Sequence, residues 1–154
     1  MNVIAAEAVR TIAIVALALV AMIGWLSLRA ARLPASDPDR LVGELRLAQF
    51  AGVVLTFVAA GYVGLAAAMP TVPGSGLDAA LALGFVIVAA LAPLRDPREA
   101  LTILALAFVA HALVDTLHRP GWLADGLVPQ WYAVGCAVQN VIAGALCYLP
   151  LLRR

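Results

Sequence analysis

Three residues of this 154-residue chain could do chemistry together: His111, Asp115 and His118. They are ionisable, close in sequence and surrounded by apolar residues. At about 100° per residue, spacings of four and three put all three within roughly a 60° sector of one helix face. A histidine and a carboxylate one turn apart make a two-point ligand set for a divalent metal, and the same pair in apolar surroundings can move a proton. The plainest role is structural, with polar groups hydrogen-bonded between helices at about 0.6 to 2 kcal/mol each and Asp115 neutralising His111.

A second polar face follows on Tyr132, Cys136, Gln139 and, at its edge, Asn140. Only a short stretch, Arg119 to Gln130, separates the two faces, so their helices are expected to be antiparallel neighbours. At 1.5 Å per residue, Gln139 and Asn140 then come near the depth of His111, and Cys136 near that of Asp115. The expectation is one pocket made by His111, Asp115, His118, Tyr132, Cys136, Gln139 and Asn140, with Asp115 bonded to a histidine or to the last helix.

The elements that carry these residues are membrane spans. The chain is 64% apolar and 12% charged, against roughly 25% charged in a soluble domain. Its net charge of +1 lacks the basic excess that a nucleic-acid partner demands. A bilayer core needs roughly 17 to 25 apolar residues as helix, and five stretches meet or approach this: about 11–28, 47–69, 77–94, 100–117 and 131–152. The predicted fold is all-α, a single bundle of five transmembrane helices. Asp96-Pro97-Arg98-Glu99 supplies a cap, a proline at the first helical position and an acid three residues after the cap; Ser36-Asp37-Pro38-Asp39 does the same before a short lead into the second span. Pro70, Pro73, Gly74 and Gly76 close the second span and turn into the third. Arg119-Pro120-Gly121-Trp122 is expected to stop the fourth.

All ten basic residues are arginine, and eight of them flank the first and third connections and the C-terminus: Arg29, Arg32, Arg40, Arg46, Arg95, Arg98, Arg153 and Arg154. Arg10 and Arg119 fall on the other side, so the positive-inside rule predicts an N-out, C-in protein of a bacterial inner membrane. Trp122, Trp131 and Tyr132 would mark the outer interface, and Trp25 and Tyr62 read as anchors or packing. Lone Arg10, balanced by Glu7, and the absence of a clean cleavage site favour a retained first span over a signal peptide. Cys136 and Cys147, about 16 Å apart along one helix, cannot pair with each other. Ala60, Gly64 and Ala68 form a small-xxx-small ridge for close approach of a helix from this chain or another subunit, and the third span reads as scaffold with Gly84 as its dent.

His111 and His118 lie two turns apart, so one ion would take Asp115 with one histidine and recruit Cys136, Asn140 or water. Nickel and cobalt permeases use His-x4-Asp-His, which this spacing does not match, and two histidines on one helix cannot clamp a haem. Proton chemistry on a lipid has a site analogy in sterol isomerases of the emopamil-binding type, without a sequence match. The segment from His111-x3-Asp115-x2-His118 through a Gly/Pro loop to Pro129-x-Trp131-Tyr132-x3-Cys136 resembles the C-terminal half of an uncharacterised family of small bacterial membrane proteins, over about 40 of the 154 residues. That resemblance implies a shared outer-face pocket and no substrate. The function expected is an accessory or scaffolding subunit of a larger membrane complex, with membrane lipids and a protein as partners and a lipid or pigment as candidate ligand. The alternative is an intramembrane protein that binds a divalent metal, or a lipid-modifying acid/base enzyme, using His111 and Asp115.

Overall fold

The computed structural model describes residues 3–118, 122–123 and 126–152, with side chains from residue 6 onward. Arg119, Pro120, Gly121, Arg153 and Arg154, which carried parts of the helix-stop and orientation readings, lie outside the described residues. The chain is an all-helical multi-pass membrane protein: α1 Val3–Arg32, α2 Pro38–Ala68, α3 Ser75–Leu91 with a 3-10 turn Ala92–Leu94, α4 Pro97–Leu117 and α5 Gln130–Leu152. All five helices are long and apolar enough to span a bilayer.

The helix starts follow the sequence chemistry. Asp37 Oδ1 accepts from the Asp39 amide at 2.9 Å and Asp96 Oδ1 from the Arg98 amide at 3.1 Å, each one residue before a proline that needs no amide partner. α3 opens on Gly74, whose φ of 89° lies in the left-handed region that only glycine adopts without strain. The lead before the second span is part of the same helix, so α2 is 31 residues long and extends well beyond its apolar run.

α2 is the hub, touching the other four helices; α4 packs most extensively on α5, and α1 lies against α2 and α5. Leu47, Leu55, Leu101, Leu104 and Phe108 are fully buried between these faces. Glycine sets two of the close approaches. A Cβ on Gly52 would stand 2.9 Å from the Ala89 carbonyl oxygen of α3, and one on Gly144 would stand 3.0 Å from that of Ala105 on α4. The ridge Ala60, Gly64 and Ala68 does not contribute to this packing: it faces outward, and among the described residues Gly64 and Gly84 have no neighbour within 4 Å of an added Cβ. The core instead uses the opposite side of α2, because Val54, Leu55, Val58 and Tyr62 offer more apolar area to bury there.

Away from the site, Arg40 and Glu44 form a buried pair at 3.0 Å. Arg40 also donates to the Leu33 carbonyl at 3.2 Å and to that of Pro150 at 2.8 Å, while Ser27 Oγ donates to Leu146 O at 2.6 Å. The Arg40 bonds fasten the segment after α1 and the end of α5 to the start of α2, and the Ser27 bond fastens α1 to α5. Arg40 flanks the first connection, and its guanidinium satisfies the Leu33 and Pro150 carbonyls, which would otherwise be orphaned in an apolar environment.

Candidate functional site

The end of the bundle where α2 and α4 finish and α3 and α5 begin holds the polar cluster. Asp115, 1% exposed, is its centre. Tyr62 of α2 donates its hydroxyl to Asp115 Oδ1 at 2.6 Å, and Asn140 of α5 donates its amide to Oδ2 at 2.9 Å. His111 Nδ1 lies 3.4 Å from the same Oδ2 and 3.1 Å from Asn140 Nδ2. The Asn140 amide carries two hydrogens, enough for both acceptors when the His111 proton sits on Nε2; with the proton on Nδ1, His111 donates to Asp115. Either tautomer ties three helices to one carboxylate.

His118 turns away from this group. Its Nδ1 donates to the Val114 carbonyl at 2.9 Å, and its Nε2 approaches Asp78 Oδ1 of α3 to 3.2 Å. That approach meets the distance of an ion pair and not the direction of a hydrogen bond, so among the described residues both Asp78 oxygens and His118 Nε2 are buried without one. The Tyr62 ring joins the halves, lying 5.0 Å from the His118 ring and 5.6 Å from that of His111, with Phe85 closing the other side of His111 at 4.7 Å.

The expected pocket therefore divides. His111, Asp115 and Asn140 meet, and Cys136, buried, lies one turn before Asn140. Tyr132, Cys136 and Gln139 border an apolar groove of about 530 Å³ between α1, α2 and α5, walled by Ile12, Val15, Leu19 and Phe57, with the Tyr132 ring also 6.1 Å from that of Tyr62. Tyr132 stands beside the Cys136 thiol, and its hydroxyl occupies the space that a Cβ on Gly61 would enter at 2.9 Å. Trp131 borders a smaller adjoining cavity of about 270 Å³. Both cysteines are free thiols.

For a metal, the geometry offers little. Among the described residues no three His, Cys, Asp or Glu side chains converge so as to hold an ion. His118 is directed at Asp78, and both Asp115 oxygens already accept hydrogen bonds.

Two members of the cluster escaped the sequence reading. Tyr62 reads in the sequence as an anchor or packing residue, and Asp78 lies in a span that reads as scaffold. Asp78 carried a usable signal: a carboxylate one residue inside an apolar run, which hairpin geometry brings level with the end of the fourth span. Tyr62 carried none, because a tyrosine near a span end reads equally as an interface anchor. Compared with family models, curated proteins and solved structures, the chain matches none.

Proposed function

We propose that this is an accessory subunit of the bacterial inner membrane, N-out and C-in, that holds an amphiphilic lipid or pigment in the groove between α1, α2 and α5. The observation that carries this reading is Gln139. Its side-chain amide borders the apolar groove and has no hydrogen-bond partner among the described residues. An amide left unpaired in hydrocarbon costs several kcal/mol. A ligand carrying a carbonyl or hydroxyl at that depth removes the cost, and the aliphatic walls accept its chain.

The accessory role is supported by how the ionisable groups are used. His111 and Asp115 are each 1% exposed, and their polar atoms contact Tyr62 and Asn140 on neighbouring helices. The alternative, metal binding or acid/base chemistry on a lipid through the same two residues, has less support because a substrate in the groove would meet Tyr132 and Gln139 first.

The test is native mass spectrometry of protein purified in mild detergent, with organic extraction of the same sample. A stoichiometric amphiphile that is depleted in a Gln139→Leu variant is the expected result. Empty protein that Gln139→Leu stabilises without changing its lipid content would overturn the reading. Copurification of a larger complex from the same membranes tests the accessory role, and a solitary homo-oligomer would contradict it.

A further inference from the structure

The end of the bundle opposite the Asp115 cluster carries a second, chemically different cavity. A cleft of about 290 Å³ lies between the last turns of α1 and the first turns of α2, lined by Trp25, Leu26 and Arg29 on one side and Asp39, Val42 and Arg46 on the other. It continues around α1 into a shallower cavity bordered by Arg32. The Arg29 guanidinium lies 5.6 Å from the centroid of the Trp25 ring, close enough for a cation–π contact that limits where it can swing.

The arginines here differ from Arg40 and Arg95, and share with Arg98 the lack of an ion pair among the described residues. Arg40 is spent on Glu44 and on two carbonyls, and Arg95 reaches Glu99 at 3.7 Å. Arg29, Arg32 and Arg46 have no carboxylate within 4.0 Å among the described residues, although Asp39 borders the same cleft. Three cations against one acid leave the cleft positive. Its depth is also specific. Arg29 follows the last apolar residues of the first span and Arg46 precedes those of the second, so the guanidiniums sit at headgroup level while Leu26 and Val42 lie on the cleft wall.

We infer that this cleft binds the phosphate of an anionic phospholipid, with Arg29 and Arg46 clamping the phosphate from two helices and Arg32 adding field. Planar guanidinium forks match phosphate oxygens, and basic clefts between membrane helices select anionic headgroups. The site is independent of the α1–α2–α5 groove: it lies at the other end of the bundle and selects by charge, whereas the groove selects by apolar chain and a single amide.

The test uses the full chain in nanodiscs, with Trp122 and Trp131 replaced by Phe so that Trp25 alone fluoresces. Phosphatidylcholine discs receive a small fraction of brominated phosphatidylglycerol or brominated phosphatidylcholine. Stronger quenching by the anionic lipid is expected, and Arg29→Gln/Arg46→Gln lowers that preference roughly tenfold or more. Arg95→Gln/Arg98→Gln, at the other connection on the same side, leaves it unchanged. Both clamping arginines are exposed, so the double variant retains its fold by circular dichroism; Arg46→Gln alone gives the same direction with a smaller loss. Equal quenching by the two lipids, or a preference that survives the double variant, overturns the assignment. Inorganic phosphate added at constant ionic strength separates a lipid from a free anion: if it abolishes the preference, the site takes free phosphate and the lipid assignment is wrong.

Discussion

Replacing Tyr62 with phenylalanine isolates one bond of the buried cluster. The side chain is 2% exposed, and its ring lies 6.1 Å from that of Tyr132 as well as against both histidines. Phenylalanine keeps those ring contacts and removes only the hydroxyl that donates to Asp115 Oδ1 at 2.6 Å. Hydrogen bonds to charged groups contribute about 1.5 to 3 kcal/mol in soluble proteins. Between membrane helices the range is about 0.6 to 2 kcal/mol, because the unfolded chain in the bilayer also finds partners. A short bond to an oxygen with no other donor among the described residues belongs in the upper part of that range, so Tyr62→Phe is expected to cost about 1 to 2 kcal/mol. Reversible unfolding in mixed micelles with increasing sodium dodecyl sulfate, followed by circular dichroism, measures it. The decisive form is a double-mutant cycle. In an Asp115→Leu background the hydroxyl has no acceptor, and Tyr62→Phe should be neutral or stabilising. Equal losses in the two backgrounds would refute the assignment of the energy to this bond.

Two further predictions use the same unfolding assay. Gly52→Ala and Gly144→Ala press a methyl group against backbone oxygens at 2.9 and 3.0 Å, and each should cost about 1 to 3 kcal/mol. Gly64→Ala and Gly84→Ala, with nothing within 4 Å, should be neutral or stabilise by up to about 1 kcal/mol through helix propensity; the reverse order would refute the helix contacts described. His118→Leu leaves the Asp78 carboxyl, 2% exposed, without its facing group. It is expected to lose about 3 kcal/mol or more, most of which His118→Leu/Asp78→Leu restores; a double variant no more stable than the single would show that the pair does not act as a unit.

The five spans and their caps were legible because each rests on a local rule. Apolar length, an Asp-Pro start and a glycine-proline turn are written in consecutive residues. The meeting of His111 and Asp115 with Asn140 was legible for a related reason: one turn on one helix and a short connection to the next fix it. What failed required knowing how far each helix is rotated about its axis. Gln139 and Asn140 are adjacent, about 100° apart, yet one faces the groove and the other the Asp115 cluster. His118 shares the face of Asp115 in sequence, but α3 stands nearer to it and takes it. Arg40 looked like a flanking charge because burial of an arginine depends on carbonyls from two other helices, Leu33 and Pro150, that no local pattern brings together.

The two buried polar groups also determine which wall of the groove can move. α2 and α5 are fastened at both ends, through Asp115 at one and through Arg40 at the other. α1 is fastened at one end alone among the described residues, by Ser27 to Leu146 O and by the Leu33 carbonyl to Arg40. Its N-terminal half presents Ile14 and Leu17 outward at 67% and 70% exposure and reaches the bundle mainly through the residues that line the groove. Swinging that half outward breaks no side-chain hydrogen bond of the described residues and uncovers residues that are at most half-buried, such as Val9 and Ala16, whereas moving α2 or α5 would strip Asp115 of a donor. Regions with few buried contacts open most readily. On the proposed reading that the groove holds an amphiphile, α1 is therefore the wall expected to move, and the expected entry is sideways from the bilayer, where the chain need not cross water.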